Sequence, residues 1–212
     1  MTKTSTKQKV MDAASYLFYT QGYNGTSVRD IASKANVNVS LISYYFKNKQ
    51  GLLEHLIVTY FEGYIDMLES VYQVDTDHPS KVKLCQMIEA IIQYKQKHYQ
   101  FTCFIHRELT HDNVFVREMM VTYLAKEKYV LFNLFKHVLL AQGIKPIKIN
   151  YYYIHLKGMV MTPFLMTYEM KEYVLTDHSH DFFIKQYSQT VFNWLEHICG
   201  MNTPKGYEME VM

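Results

Sequence analysis

The 212-residue chain contains few of the residues that cross-link small folds or interrupt helices: three cysteines, four prolines and eight glycines. The three cysteines are widely spaced and belong to no metal or redox motif, which fits a reducing cytoplasm. Long charge-free apolar runs and a signal peptide are also lacking, so we expect a cytoplasmic protein without membrane association. Because no strand-like alternation stands out, the sequence predicts an all-α fold.

Catalytic motifs are lacking as well. The chain has neither a glycine-rich phosphate loop nor a nucleophile–base motif. A Glu-x-x-His sequence at 108–111 matches part of a di-iron site, but such a site needs a second copy and further glutamates. Two histidines at 177–181 fall in a predicted loop, where solvated polar residues are the default. We therefore predict no enzymatic activity, no metal site and no cofactor.

Acidic residues are scarce in the first 50 residues. That segment holds seven lysines and arginines against two aspartates, a net charge of +5, whereas the other residues hold 15 basic and 18 acidic side chains, a net charge of −3. The overall charge of +2 therefore hides a polarised molecule. A basic segment of this kind attracts the phosphates of nucleic acid.

Apolar spacing in the same segment predicts three short helices. The first carries an apolar stripe over residues 10–18 and ends at Gly22, since glycine adopts the left-handed conformation common at helix ends. A second helix begins at Thr26 or Ser27, where a hydroxyl can cap free backbone N–H groups. Asn38 suits the N-cap of a third helix. The inner faces of the second and third helices would hold Val28, Ile31, Ala32, Ala35, Ile42, Tyr45 and Phe46.

The outward face of the third helix carries polar side chains but no carboxylate. Ser40, Ser43, Tyr44 and Lys47 point away from the core in this prediction. About nine helical residues span about 13 Å, and a B-DNA major groove about 12 Å wide admits one helix. The alternative is a packing module with solvated lysines, but an ordinary solvated helix would carry glutamate or aspartate. The pattern therefore favours a DNA-binding helix-turn-helix.

Three short sequences in the first quarter of the chain have the order and spacing of a known family. They are Leu-Phe-Tyr-Thr-Gln-Gly-Tyr at 17–23, Thr-Ser-Val-Arg-Asp-Ile-Ala at 26–32 and Ile-Ser-Tyr-Tyr-Phe at 42–46, followed by Lys49, Leu52 and Leu53. These sequences resemble the TetR-type one-component regulators. The resemblance implies a homodimeric transcriptional repressor that binds near-palindromic double-stranded DNA.

The resemblance also assigns roles to individual residues. Ser27, Tyr45 and Lys49 would contact backbone phosphates, and the base edges would be approached by Arg29, Ser40, Leu41, Ser43 and Tyr44. Val39 and Ser43 depart from the common pattern, so apolar contact with thymine methyls would count for more here. The complete predicted DNA-binding set is Ser27, Arg29, Asn38, Val39, Ser40, Leu41, Ser43, Tyr44, Tyr45, Lys47 and Lys49.

The sequence predicts three segments: a helix-turn-helix domain at 1–47, a helical regulatory and dimerisation domain at 48–200, and a flexible tail at 201–212. Helical spacing continues throughout the second segment. The predicted helices cover residues 48–72, 80–99, 101–110, 113–142, 149–172 and 181–199, with a break at 73–79 and a turn at 143–146.

The last two predicted helices carry apolar stripes that could form a dimer interface. Two such helices from each of two subunits make a four-helix contact, an arrangement that the resemblance also implies. The alternative is that both stripes pack inward within a monomer. The predicted interface residues are Ile154, Gly158, Met161 and Leu165 on one helix and Tyr187, Val191, Trp194 and Ile198 on the other.

Aromatic and thioether side chains in the middle of the chain could line a pocket for a small apolar ligand. The resemblance implies that such a ligand moves the long helix beginning at Asn48 and lowers DNA affinity. The alternative is a filled core without a guest, and no buried charged cluster identifies a ligand. The predicted pocket residues are Met87, Ile91, Tyr94, Phe104, Met120 and Tyr123.

A second possible output is a protein contact made while the molecule is bound to DNA. The chain is similar to a subgroup from spore-forming bacilli that includes a TetR-like regulator of cell division, which acts on the tubulin-like division-ring protein from nucleoid sites. Outside the helix-turn-helix no specific motif carries this similarity. The predicted contact patch consists of the charged residues Arg107, Glu108, Arg117 and Glu118.

Overall fold

Helices make up nearly all of the chain that can be described. The structure, a computed structural model, describes residues 5–73, 80–111, 113–166 and 180–199, and no strand occurs within these ranges. The helices are α1 (Thr6–Gln21), α2 (Val28–Ala35), α3 (Val39–Phe46), α4 (Lys49–Gln73), α5 (Ser80–Lys97), α6 (Tyr99–Thr110), α7 (Val114–Ala141), α8 (Pro146–Leu165) and α9 (His180–Cys199). The predicted all-α fold is confirmed.

The bounds of α8 correct the sequence prediction at both ends. The sequence pattern predicts a turn at Pro146, but this residue is the first of the helix, where its fixed φ is favourable. An N–H at this position would have no intrahelical partner, so its absence in proline costs no hydrogen bond. The helix was expected to continue to residue 172, yet it ends at Leu165, two residues after Pro163. The Met166 N–H caps it by donating to the Thr162 carbonyl.

Three sequence predictions fall wholly or mainly outside the described residues. They concern the tail at 201–212, the break at 73–79 and the polar loop at 177–181. Within the described ranges, no group of three or more histidine, cysteine or acidic side chains is arranged to hold a metal ion. The helices described there also include none with the length and hydropathy needed to cross a membrane.

The chain packs into two compact units. The first consists of Met1–Gly63 and His98–Thr122, and the second of Tyr64–Lys97 and Tyr123–Met212. The first unit extends beyond the predicted boundary at residue 47 because α6 packs against α1. The boundary of the functional helix-turn-helix therefore stays a prediction, while the packing unit around it is larger.

The first unit is built on aromatic and aliphatic side chains that the helical stripes bring together. Phe18 of α1 and Phe104 of α6 are wholly buried, with stacked rings whose centroids lie 5.3 Å apart. Ile31 of α2 and Ile42 of α3 are also fully buried. Burying each of these side chains stabilises the fold by roughly 1.5–3 kcal/mol. The packing of α6 and α1–α3 is therefore mutually stabilising.

In the second unit, α5 packs against α8 and α9. Burial of apolar side chains at helical spacing explains the arrangement. The fully buried residues include Leu84, Met87, Ile88 and Ile91 of α5, Phe135 and Leu139 of α7, Leu156, Val160 and Phe164 of α8, and Val191 and Leu195 of α9.

Candidate nucleic-acid interface

The start of α2 is fixed by a reciprocal capping box. The Asp30 N–H donates to Ser27 Oγ at 3.1 Å, and the Ser27 N–H donates to Asp30 Oδ2 at 2.9 Å. Hydrogen bonding from the side chain and backbone of Ser27 lowers the pKa of the Asp30 carboxyl. Ser27 is exposed, and its hydroxyl hydrogen can still be donated to a phosphate.

The turn between α2 and α3 has a defined geometry. Asn36 adopts the left-handed conformation with φ 54°, and its N–H donates to the carbonyls of Ala32 and Ser33. Asn38 then caps α3, because its Oδ1 accepts from the Ser40 N–H at 2.9 Å and from Ser40 Oγ at 2.8 Å. Asn38 and Ser40 are thus bound to each other at the start of α3.

The third helix presents one buried and one open face. Ile42 and Phe46 are buried, whereas Ser40, Ser43 and Lys47 are exposed and Tyr44 is 79% exposed. Val39 is exposed and Leu41 is half-buried on the flanks.

Tyr45 corrects the predicted inner face of α3. It was grouped with Ile42 and Phe46, but it is 40% exposed. Its ring lies between those of Tyr44 and Phe46, at centroid distances of 5.1 and 6.1 Å. Tyr45 therefore lies at the border of the outward face, where its hydroxyl could reach a phosphate.

Two basic side chains near this face are available for DNA. Arg29 in the first turn of α2 and Lys47 at the end of α3 are exposed. Neither side chain forms a hydrogen bond, an ion pair or a ring contact with another described residue. Lys47 has φ 68°, and its N–H donates to the Ser43 carbonyl, so its left-handed backbone ends the helix.

Lys49, for which a phosphate contact is predicted, binds the backbone of its own chain in the structure. Its Nζ donates to the backbone carbonyls of Tyr23 at 2.9 Å and Thr26 at 2.8 Å, and it lies 4.2 Å from the centroid of the Tyr23 ring. The side chain is half-buried. Nothing in the sequence spacing signalled these bonds, because they join α4 to a loop 23 and 26 residues earlier.

The charged contact patch is also altered by the structure. Arg107 does not extend into solvent: its Nη1 donates to the Tyr19 carbonyl at 3.0 Å and its Nη2 to the Phe18 carbonyl at 2.7 Å. Glu108 accepts from Asn113 Nδ2 at 2.8 Å. Arg117 and Glu118 are exposed. The four residues therefore do not form one uniform surface patch.

The predicted pocket residues do not all belong to one unit. Met87, Ile91, Tyr94 and Tyr123 belong to the second unit, and Phe104 and Met120 to the first. Met87, Ile91, Phe104 and Met120 are fully buried, and the two tyrosines are half-buried. The sequence missed a pocket of about 350 Å³ in the second unit, lined by Phe132, Lys136, Pro146, Ile147, Ile149 and Asn150.

The second unit contains a buried charged cluster that the sequence pattern did not reveal. Glu127 of α7 is buried, and its Oε1 accepts from Tyr64 Oη and from Lys157 Nζ, both at 2.8 Å. Burial raises the pKa of Glu127, but Lys157, Lys95 and the hydrogen bonds from Lys157 and Tyr64 together hold it below its usual value. In the sequence, Glu127 lies between two lysines of a predicted helix, and nothing in that pattern indicated that it is buried.

The predicted dimer residues divide between open and buried positions. On α8, Ile154 is 64% exposed, Leu165 is exposed, Met161 is half-buried, and a Cβ added at Gly158 would meet no neighbouring atom. The sequence missed two further exposed members of this stripe, Ile147 and Tyr151.

The α9 stripe corrects one residue of the prediction. Val191 is fully buried in its own chain, so it does not lie on an open face. Tyr187 donates its hydroxyl to the Met159 carbonyl at 2.6 Å. Trp194 packs near the rings of Tyr152 and His155, and Ile198 is half-buried.

Known proteins are similar to this chain in sequence and in fold. The family described as bacterial regulatory proteins, tetR family, matches residues 10–56. The probable HTH-type transcriptional regulator YttP of Bacillus subtilis is 35% identical over 201 residues, covering 92% of this chain and 95% of the relative. The negative transcriptional regulator of the icaADBC biofilm operon, IcaR of Staphylococcus epidermidis, is 32% identical over 62 residues, 29% of this chain and 34% of that protein.

A solved structure supports the same fold over nearly the whole length. It is the transcriptional regulator FadR from Bacillus subtilis in complex with stearoyl-CoA, with a TM-score of 0.67 and 19% identity, covering 92% of this chain and 99% of that one. These relatives are transcriptional regulators, and none of those described is named for a role in cell division. Because the tetR family matches residues 10–56 and a transcriptional regulator is 35% identical over 95% of its own length, the chain belongs to the TetR family of DNA-binding transcriptional regulators.

Proposed function

We propose that the protein is a homodimeric transcriptional repressor that binds near-palindromic operator DNA. The observation that carries this proposal is the outward face of α3, a helix capped by Asn38, which is polar and free of carboxylates. The name of IcaR as a negative regulator supports repression as the direction of control. The basic charge of the first 50 residues favours approach to DNA.

We assign base contacts to Arg29, Ser40, Ser43 and Tyr44, with apolar contacts from Val39 and Leu41 to thymine methyls. Phosphate contacts are assigned to Ser27, Tyr45 and Lys47, whose side chains are exposed around the base-contacting group. Asn38 acts through the cap that orients Ser40.

Replacing Tyr44 with alanine tests the base-contact assignment. We expect the preference for the operator over a scrambled duplex to fall about tenfold, because a base contact contributes about 1–3 kcal/mol of discrimination. The slope of affinity against salt should not change, since no phosphate contact is removed. Fluorescence anisotropy with both duplexes measures the ratio. Tyr129→Ala is the matched control, because Tyr129 is an exposed tyrosine of α7 in the second unit; equal preference in wild type and Tyr44→Ala would exclude Tyr44 from base recognition.

Dimerisation is supported by the stripe on α8. Its positions Ile147, Tyr151, Ile154, Gly158, Met161 and Leu165 recur every three to four residues and so share one side of the helix, and all of them except the half-buried Met161 are exposed. An exposed apolar row of this length is typical of a protein–protein contact. If this stripe packs against the same stripe of a second subunit, a two-fold axis relates the two helix-turn-helix segments. The two half-sites of the operator should then lie about one DNA turn, or a multiple of one turn, apart.

The proposed repressor is tested by incubating the full chain with fragmented genomic DNA of its host and sequencing what is retained at several salt concentrations. Enrichment of palindromic sites beside one gene or its neighbours supports local repression. Similar sites dispersed over the chromosome would favour the alternative output through a division protein. Absence of enrichment at every salt concentration would overturn specific DNA binding.

A small ligand with a large apolar part is proposed as the signal. The support is the stearoyl-CoA in the FadR structure, together with the apolar, methionine-containing core of this chain. Addition of stearoyl-CoA to the protein–operator complex is expected to weaken binding about 5- to 150-fold, the usual range of such coupling. Unchanged binding at saturating ligand, with coenzyme A alone as the control, would exclude this ligand.

A further inference from the structure

The connector, defined here as residues 18–27, consists of the last turn of α1 and the loop that leads to α2, and four of its carbonyl groups accept hydrogen bonds from side chains of α4 and α6. Two of these carbonyls, those of Phe18 and Tyr23, also accept from backbone N–H groups of the connector. The last carbonyls of a helix have no intrahelical partner, and the partial negative charge at a helix C-terminus attracts cations. Within the connector, the Gly22 N–H donates to the Phe18 carbonyl and Thr26 Oγ1 donates to the Gly22 carbonyl. The connector ends at Ser27, the cap of α2.

Arg107 holds the first part of the connector from α6. Its two terminal nitrogens donate to successive carbonyls, Nη2 to Phe18 at 2.7 Å and Nη1 to Tyr19 at 3.0 Å. Phe104, one turn earlier on α6, stacks on Phe18 at 5.3 Å. Arginine suits this task because its planar group presents two donors in a fixed geometry.

Lys49 holds the second part of the connector from α4. Its Nζ donates to Tyr23 at 2.9 Å and to Thr26 at 2.8 Å, and lies 4.2 Å from the centroid of the Tyr23 ring. Thr26 is buried and directly precedes the cap of α2. Hydrogen bonds from a charged group are stronger than neutral ones, so the path from α1 to α2 is fixed by cations at both of its ends.

We propose that Arg107 and Lys49 are positioning residues for DNA binding, which fix the connector and thereby the orientation of α2 and α3. The proposal rests on the DNA-binding function above. It assigns the charge of Lys49 to the backbone of its own chain instead of a DNA phosphate. It also gives α6, which lies outside the helix-turn-helix, a direct part in setting DNA affinity.

Salt dependence separates the two roles of Lys49. Each lost phosphate contact reduces the slope of log affinity against log salt by about 0.9, whereas loss of a positioning residue lowers affinity without changing that slope. The test uses Arg107→Gln and Lys49→Gln in the full chain. Lys47→Gln serves as the phosphate-contact control and Lys126→Gln, on the exposed face of α7, as the neutral control.

We expect Arg107→Gln and Lys49→Gln each to bind the selected operator duplex about tenfold more weakly, which corresponds to about 1.4 kcal/mol, with the slope of the wild type. The loss of affinity in the double variant should be smaller than the product of the two single losses, because both residues hold the same segment. Arg107→Lys should lose less than Arg107→Gln, since one charged donor remains. An affinity within twofold of wild type for both glutamine variants would overturn the proposal. A salt slope reduced by about one in Lys49→Gln would show instead that Lys49 contacts a DNA phosphate.

Hydrogen exchange in the free protein provides a readout that does not depend on DNA. Amides of the connector, including those of Gly22 and Thr26, should exchange about tenfold faster in both glutamine variants, while amides of α8 keep their wild-type rates. If the wild type binds no operator, the proposed function fails but exchange still decides whether the connector is held. Unchanged connector exchange would overturn the positioning role, and should either glutamine variant fail to fold, Arg107→Lys carries the same two measurements.

Discussion

Replacing Ile154 with glutamate is expected to convert the proposed dimer to a monomer and to weaken operator binding by at least about 100-fold. Ile154 is 64% exposed at the middle of the α8 stripe, beside Gly158, whose missing side chain leaves open space for a close approach. A carboxylate there would be buried without a partner in the interface, which is strongly unfavourable. The affinity falls because two linked DNA contacts exceed a single one by about 10²–10⁴ through effective concentration.

Sedimentation analysis of the free protein and anisotropy with the operator measure the two effects of Ile154→Glu. Lys148→Glu is the matched control, because Lys148 is exposed on the same helix about 100° from the stripe. The control should remain a dimer and keep most of its affinity. A dimeric Ile154→Glu variant with wild-type operator binding would place the interface elsewhere.

Replacing Glu127 with glutamine should reduce the free energy of unfolding by about 3–5 kcal/mol at neutral pH, the usual effect of breaking a buried ion pair. Lys157 would lose the carboxylate 2.8 Å from its Nζ, and Tyr64 would donate to a weaker acceptor. Lys95, which is also buried, would lose a nearby opposite charge. Urea denaturation of the wild type and variant measures the difference, with the exposed Glu118→Gln of the same helix as control.

The pH dependence of that difference has a defined sign. The pKa of Glu127 is lower in the folded state than its ordinary value of 4.5. Its contribution to stability is therefore fully present above pH 4.5 and is lost as the pH falls through the folded pKa. We expect the wild type and Glu127→Gln to converge in stability below pH 4.5. A constant difference from pH 7 to pH 3 would mean that the charge of Glu127 does not contribute.

Local signals in the sequence were sufficient for the helix-turn-helix. Ser27 and Asn38 are small polar residues before apolar helical stripes, and both cap the predicted helices. The polar face of α3 follows from a period of 3.6 residues alone. The α8 stripe was found by the same rule, although its first members were missed because Pro146 was taken as part of a turn rather than as the start of a helix.

Contacts between distant segments could not be obtained in this way. Arg107 binds carbonyls 88 and 89 residues earlier in the chain, and Lys157 meets Glu127 30 residues away. Val191 has the spacing of an interface residue, but periodicity identifies only which residues share a face, not whether their own chain or a second one covers it. The roles of such residues depend on tertiary packing that no local pattern encodes.

The cap at the start of α3 has a consequence for how this regulator can acquire new operators during evolution. Ser40 donates to Asn38 through both its N–H and its hydroxyl, so a mutation at either position disturbs the start of the helix as well as the proposed DNA contact. Ser43, Tyr44 and Arg29 carry no such constraint and are exposed. Among homologous proteins, divergence of operator preference should therefore arise through these three positions, with Asn38 and Ser40 changing together or remaining as they are.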